Sequence, residues 1–367
     1  MNQFLLMHKD KPVLIFSLTK PLNADTILHV EHLINYIELP YGAKNVTHET
    51  IDESVTTWME RRCVPDGRPR CISLLQSYGL HSVVDIVPYS YMCSLTDCYW
   101  VKPANSSLAW KDVNIRDNGS LSTFDKHLFF MDDKEPISNW NSPDITTDGA
   151  LPKTWQKIDG DYYLIKSSQG KMPMDVYNEI IATALLEQLG FDFIPYTLQK
   201  SDSFVSSACK CFIDSNNIEL VPAENLLLDG YYSSISAYLE TMRSFGFSNQ
   251  VDSMLLIDYL IGNVDRHARN HGQMIDSETQ QIIKLAPLFD HGGCDFFNDV
   301  GCIPYTPTKI SFDDTLKSLP KDTIARLRII DLQKIDNLLC QFPLEESHKT
   351  RFLRILTQRI NTAIALL

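Results

Sequence analysis

Two segments hold side chains whose types and spacing suit phosphoryl transfer. Residues Asn263-Val264-Asp265-Arg266-His267-Ala268-Arg269-Asn270 put an aspartate five residues ahead of an asparagine, and Leu285-Ala286-Pro287-Leu288-Phe289-Asp290-His291-Gly292-Gly293 sets a second carboxylate beside two glycines. A nucleoside triphosphate carries several negative charges, and Mg²⁺ takes hard oxygen ligands in octahedral geometry, usually with only one or two carboxylates among them. Asn270 and Asp290 supply such oxygens. A carboxylate kept off the metal can accept a hydrogen bond from an attacking hydroxyl, orient it and take its proton, and that role falls to Asp265. The order aspartate, asparagine, aspartate is the one phosphotransferases use. Taken alone, the first segment reads equally well as a polar helix end and turn; the second shifts the balance.

Upstream stands a set of residues that could manage the phosphates. Asp161-Tyr162-Tyr163-Leu164-Ile165-Lys166 follows the turn Asp159-Gly160 and reads as a strand ending in a lysine, placed to neutralise phosphate charge. Tyr177, Ile180, Ile181, Ala184, Leu185 and Leu189 recur at helical spacing, with Gly190 as the C-cap. Glu179 lies in the first turn of that helix and could reach back to Lys166. Each has a plainer reading, Lys166 as an exposed strand end and Glu179 as a carboxylate favoured by the helix dipole; together and in this order they favour function. His267 could donate to a γ-phosphate or bond within its own loop, and the second reading is preferred. A zinc site from His267, His271 and His291 fits no usual spacing, and magnesium accounts for Asp290 better.

The chain resembles the HipA family of bacterial serine/threonine kinases, best known as toxin halves of toxin-antitoxin pairs. The resemblance rests on Leu151-Pro152-Lys153-Thr154-Trp155, Tyr163-Leu164-Ile165-Lys166, Asn178-Glu179, the Asn263 to Asn270 segment and Leu285 to Asp290, and covers about the C-terminal two thirds. The Asp-Arg-His-x-x-Asn form is also similar to the catalytic loop of phosphatidylinositol kinases. What the HipA resemblance implies is a protein hydroxyl as acceptor, ATP and Mg²⁺ as cofactors, an antitoxin as a possible partner, and adenine docking where backbone groups of Cys211 and Phe212 bind the base edge. Without that resemblance, Ser207 to Ile213 reads as a core strand. The family's Ser-Gly-x-x-Lys phosphate loop has no good copy here. Its nearest candidate runs from Ser142 to Lys153, where Gly149 could let backbone amides approach phosphate and Lys153 closes the segment. Ser142 to Asp148 reads by composition as a surface loop, and modification of Ser142, Thr146 or Thr147 is left open.

The chain of 367 residues has room for a bilobal unit and an accessory domain. A formal net charge of −13 argues against direct nucleic-acid binding, so any DNA association needs a basic partner. Nine cysteines without a Cys-x-x-Cys spacing fit reduced thiols in a cytoplasmic protein. No apolar run has membrane-spanning length, and the first residues lack a signal-peptide pattern. Internal repeats and low-complexity tracts are absent from the sequence.

The expected fold is α+β: a bilobal, protein-kinase-like arrangement with a mixed α/β N-terminal extension and a helical C-terminal lobe. The division expected is 1–135 accessory, 136–245 nucleotide-binding and 246–367 helical and catalytic. Pro12 to Leu18 reads as a strand, Ala24 to Leu39 as a helix ending at Pro40, Glu53 to Arg62 as a short helix and Ser138 to Ser142 as a polar linker. Ser94 to Val101 with Trp110 reads as aromatic core. Val251 to Ile261 is the most apolar helix, and Asp322 to Leu339 and Leu344 to Leu367 read as amphipathic helices. The reaction expected is ATP-dependent phosphorylation of serine or threonine in a protein. The rivals are a small-molecule or lipid kinase, and a non-catalytic protein that keeps the fold to bind a partner.

Overall fold

The computed structural model describes residues 3–21, 26–44, 50–119, 124–129, 136–137, 139–168, 172–200 and 204–367. Chain contacts divide it into two compact units. The first comprises Met1–Gln169, Ile213–Tyr231 and Met274–Ile283, and the second Gly170–Phe212, Tyr232–Gln273 and Lys284–Leu367.

In the first unit, Gln3–His8 pairs antiparallel with Lys11–Thr19 on one side and Tyr99–Pro103 on the other, and Ile27–Leu33 adds an outer strand beside Lys11–Thr19. Phe4, Leu6, Leu14 and Phe16 from these strands meet Val55, Trp58 and Met59 of the helix Ile51–Arg62 in one core. Thr50 caps that helix by accepting from the Glu53 amide. The helix expected over Ala24 to Leu39 is instead a strand at Ile27–Leu33, with Ala24 itself outside the described residues. Leu28 and Val30 alternate with His29 and Glu31, a period of two that puts the apolar pair on the core. The Asp52 carboxylate accepts from the Val30 amide at 2.8 Å, satisfying a donor on this outer strand. The aromatic segment is core as expected, with Tyr99, Trp100 and Trp110 buried.

Residues 141–147 are neither linker nor surface loop. All are buried, Ile145 completely. The Asp144 carboxylate takes the Thr154 hydroxyl at 2.6 Å and the Trp155 amide at 2.8 Å, and the Ile145 carbonyl takes the Val64 amide at 2.7 Å. Composition misled because the hydroxyls and the Asp144 carboxylate find partners inside, which offsets the cost of burying them. The hydroxyls of Thr146 and Thr147 donate to the carbonyls of Cys93 and Pro143. Ser138 lies outside the described residues.

His8 is buried between two carboxylates, with Nδ1 2.5 Å from Glu38 and Nε2 2.9 Å from Glu219, and its ring stacks on Tyr99. Lys11 pairs with the other Glu38 oxygen at 2.9 Å. Burial alone would lower the His8 pKa, but hydrogen bonds and charge from Glu219 and then Glu38 outweigh it and raise it. A folded-state pKa above the unfolded one gives a stabilisation that is complete below about pH 6.5 and is lost as pH rises through the folded value. The melting-temperature gap between the parent and His8→Gln is therefore expected to be widest in acid and to narrow as pH rises. A gap that widens with pH contradicts this assignment.

In the second unit, Met174–Leu189 is a helix closed by Gly190 in the left-handed conformation, and Tyr196–Lys200 and Val205–Lys210 form a hairpin. Ser248–Ile261 is buried along nearly its whole length and ends at Gly262, also left-handed. The single helix expected over Asp322 to Leu339 is broken into Lys321–Ala325, a tight turn at Arg326–Ile329 and Leu332–Leu339. Asp331 accepts from the Gln333 amide and so starts a new helix. Glu346–Ile364 follows as an amphipathic helix.

Candidate active site

The helix Ser248–Ile261 fixes the first chemical segment from below. Its Asp258, with no exposed surface, receives Nε and Nη2 of the equally buried Arg266 at 2.9 and 3.0 Å, the Asn263 amide nitrogen at 2.9 Å, and the Tyr305 hydroxyl. Burial would lower the Arg266 pKa, but the facing Asp258 carboxylate raises it, so the guanidinium keeps its charge. From there Nη1 of Arg266 donates to the carbonyls of Asn270 at 2.7 Å and Phe289 at 2.8 Å. One guanidinium thus joins the end of the Asp265 to Asn270 loop to the residue just before Asp290.

Within that frame the side chains differ in exposure. The Asp265 side chain is 61% exposed. Asn270 is buried, and its Nδ2 donates to the Asp265 carbonyl at 3.0 Å, which turns Oδ1 away as the group able to face a cation. His267 accepts the Arg269 amide on Nδ1 at 3.3 Å and keeps Nε2 3.9 Å from Asp265, contacts internal to the loop.

Asp290 has φ +60°, a left-handed conformation that aspartate tolerates better than most residues, and its amide donates to the Tyr196 hydroxyl. Asn178 and Glu179, neighbours on the helix Met174–Leu189, hold the chain that follows. Asn178 Nδ2 donates to the carbonyls of Gly292 at 2.8 Å and Cys294 at 3.1 Å, and the Glu179 carboxylate accepts the His291 amide at 2.9 Å. A Cβ on Gly293 would stand 2.5 Å from the Asp265 Cβ, so only glycine lets this loop lie against the catalytic aspartate candidate. Phe289 stacks on Phe212 at 5.5 Å, and Cys211 beside it is buried.

His271 is committed elsewhere, its Nδ1 donating to the His267 carbonyl at 3.1 Å. Burial and then the Arg266 charge push its pKa down to about 3. Among the described residues, no three His, Cys, Asp or Glu side chains gather as a metal site.

The lysines expected to meet phosphate lie in the first unit. Lys153 and Lys166 are direct partners across the antiparallel strands Lys153–Ile158 and Asp161–Ser167, so both side chains leave the same face, and both are more than nine-tenths buried. Gly149, at φ +97°, is in a conformation that other residues rarely adopt, and the Lys153 ammonium lies against it. The buried Arg68 holds this stretch by donating to the carbonyls of Thr147, Asp148 and Gly149. Arg68, Asp258, Tyr196 and the anchoring by Asn178 were not assigned from sequence. Only Asp258 left a signal, as an acid inside the most apolar helix.

No protein-family model and no curated protein matches the chain. Solved structures do. HipA, in the Shewanella oneidensis MR-1 toxin antitoxin system HipA, HipB and operator DNA complex, is 15% identical with a TM-score of 0.56 over 98% of this chain and 96% of that one. The Helicobacter pylori proinflammatory kinase CtkA is 22% identical with a TM-score of 0.48 over 58% of this chain and 93% of that one. The HipA match runs nearly end to end in both chains. This chain has the HipA-like kinase fold.

Proposed function

We propose that the chain is an ATP- and Mg²⁺-dependent serine/threonine protein kinase of HipA-like type. The observation that carries the reading is the Arg266 bridge, which brings the carbonyl before Asp290 and the carbonyl of Asn270 to one buried cation and so assembles Asp265, Asn270 and Asp290 within one unit. Asn270 Oδ1 and the Asp290 carboxylate would hold the metal, which when bound neutralises charge on the phosphate oxygens. Asp265, exposed and free of the apolar core, orients the acceptor hydroxyl and takes its proton. Lys153 and Lys166 offset phosphate charge beside the Gly149 backbone, and Cys211 and Phe212 meet the adenine edge. His267 steadies the loop next to Asp265.

Protein as acceptor, rather than a lipid or small molecule, rests on the resemblance carried by the Lys153-Thr154-Trp155 and Ala286 to Asp290 segments. A toxin role with an antitoxin partner has support from the HipA neighbour, which was solved with HipB and operator DNA. The net charge of −13 favours phosphate-backbone contact through that partner over contact through this chain. A cytoplasmic setting agrees with nine cysteines that form no disulfide. No described helix is long and apolar enough to cross a membrane.

Calorimetric titration with ATP tests the metal assignment. Binding is expected to be about tenfold or more tighter in Mg²⁺ than in chelator, or about 1.4 kcal/mol, because Asp290 otherwise faces the phosphates with no cation between. Equal affinity in the two buffers would remove Asn270 and Asp290 from the proposal.

A further inference from the structure

The second unit contains a cavity of about 220 Å³ that reaches the catalytic loop at Asn270 and His271. Its walls are largely apolar, with Leu239, Val251, Met254, Leu285 and Leu288 buried around it, while Gly190 and Gly272 add no side chains. The charged members of the lining, Asp192 and Arg326, are both exposed, and Asp192 already pairs with Lys284 at 3.0 Å. Two polar side chains of the lining are more than nine-tenths buried and incomplete. The Tyr238 hydroxyl and His271 Nε2 have no hydrogen-bond partner among the described residues. Because a carbonyl only accepts, His271 must carry its proton on Nδ1 towards His267 O, which leaves Nε2 with a lone pair and no donor. The two rings lie 5.9 Å apart.

A buried acceptor without a donor costs about 1–3 kcal/mol, and a native structure that leaves two such groups beside one cavity calls for an explanation. An apolar cavity of about 150 Å³ holds a benzene ring, so this one has room for a second fused ring. An ionic ligand would be stripped of water among these apolar walls with no opposite charge inside.

We propose that this cavity binds a neutral bicyclic heteroaromatic molecule that donates an N–H towards His271 and Tyr238. The site is separate in chemistry from the nucleotide reading and does not depend on it. The test uses the full chain and two probes, indole and 1-methylindole, which share ring size and differ in the N–H. Ligand-detected NMR and calorimetry read binding without reference to phosphotransfer. Indole is expected to bind saturably, with 1-methylindole weaker by about tenfold or more, the 1.4 kcal/mol scale of a single hydrogen bond. Two filling variants, Leu239→Trp and Ser253→Phe, come from different walls, so one folded variant suffices, with the melting curve as control. Loss of indole binding in a folded variant supports the site. Absence of saturable indole binding overturns the proposal and leaves water as the partner of Tyr238 and His271. Equal binding of the two probes, or indole binding that survives in the folded filling variants, overturns it as well.

Discussion

Replacing Asp265 with alanine is expected to reduce phosphotransfer by about 10²–10⁴-fold, the contribution of a positioned general base, while leaving fold and nucleotide affinity intact. The side chain is 61% exposed and its removal opens no cavity. Its backbone partners stay in place, since Asn270 Nδ2 bonds the Asp265 carbonyl and the Asp265 amide bonds Asn263. Asp290→Asn should behave differently, weakening Mg·ATP binding as well as turnover. Rates, melting curves and calorimetry on the two variants separate proton transfer from metal holding. A folded Asp265→Ala protein that binds Mg·ATP and phosphorylates at the parental rate would take the base role away from this residue.

Asp258→Ala should cost stability on a scale that surface substitutions never reach. It strands the fully buried Arg266 guanidinium without its counter-charge and leaves Asn263 and the Tyr305 hydroxyl without their acceptor. Removing one member of a buried ion pair typically destabilises by about 3–5 kcal/mol. The loss should show in denaturant unfolding followed by fluorescence. Asp258→Asn, which keeps the shape and one acceptor oxygen, should lose less. If Asp258→Ala unfolds at the parental denaturant concentration, the pair is not what holds the Asp265 and Asp290 segments together.

Much of the second unit was legible because its signals are local. Tyr177 to Leu189 shows helical spacing and a glycine stop, and the helix is there with Gly190 left-handed. In the first unit the same holds for Asp161 to Lys166, which is dense in strand formers and is a strand. Val251 to Ile261 is the most apolar helical stretch and is buried along almost all of its length. The candidate residues Asp265, Asn270 and Asp290 stand out because they sit in two contiguous segments. What joins those segments does not, since the Arg266 bridge spans from Asp258 to Phe289 and depends on tertiary placement alone. Glu179 shows the same limit. The sequence offered Lys166 as its partner but gave no sign that its carboxylate also holds the His291 amide. At the N-terminal side, polar composition concealed the burial of residues 141–147, and a short alternating strand at Ile27–Leu33 lay inside a run rich enough in helix formers to read as one. The fold class itself was reached through the quoted motifs and not through periodicity.

The central claim is that this chain moves the terminal phosphoryl group of ATP to a hydroxyl of a protein. It is tested most directly by incubating the purified chain with γ-labelled ATP, Mg²⁺ and a cell lysate, and locating the label. The account predicts label on serine or threonine of protein, lost in chelator and lost with Asp265→Ala. Label confined to lipid or small molecules, or no transfer from a folded chain that binds Mg·ATP, would contradict it.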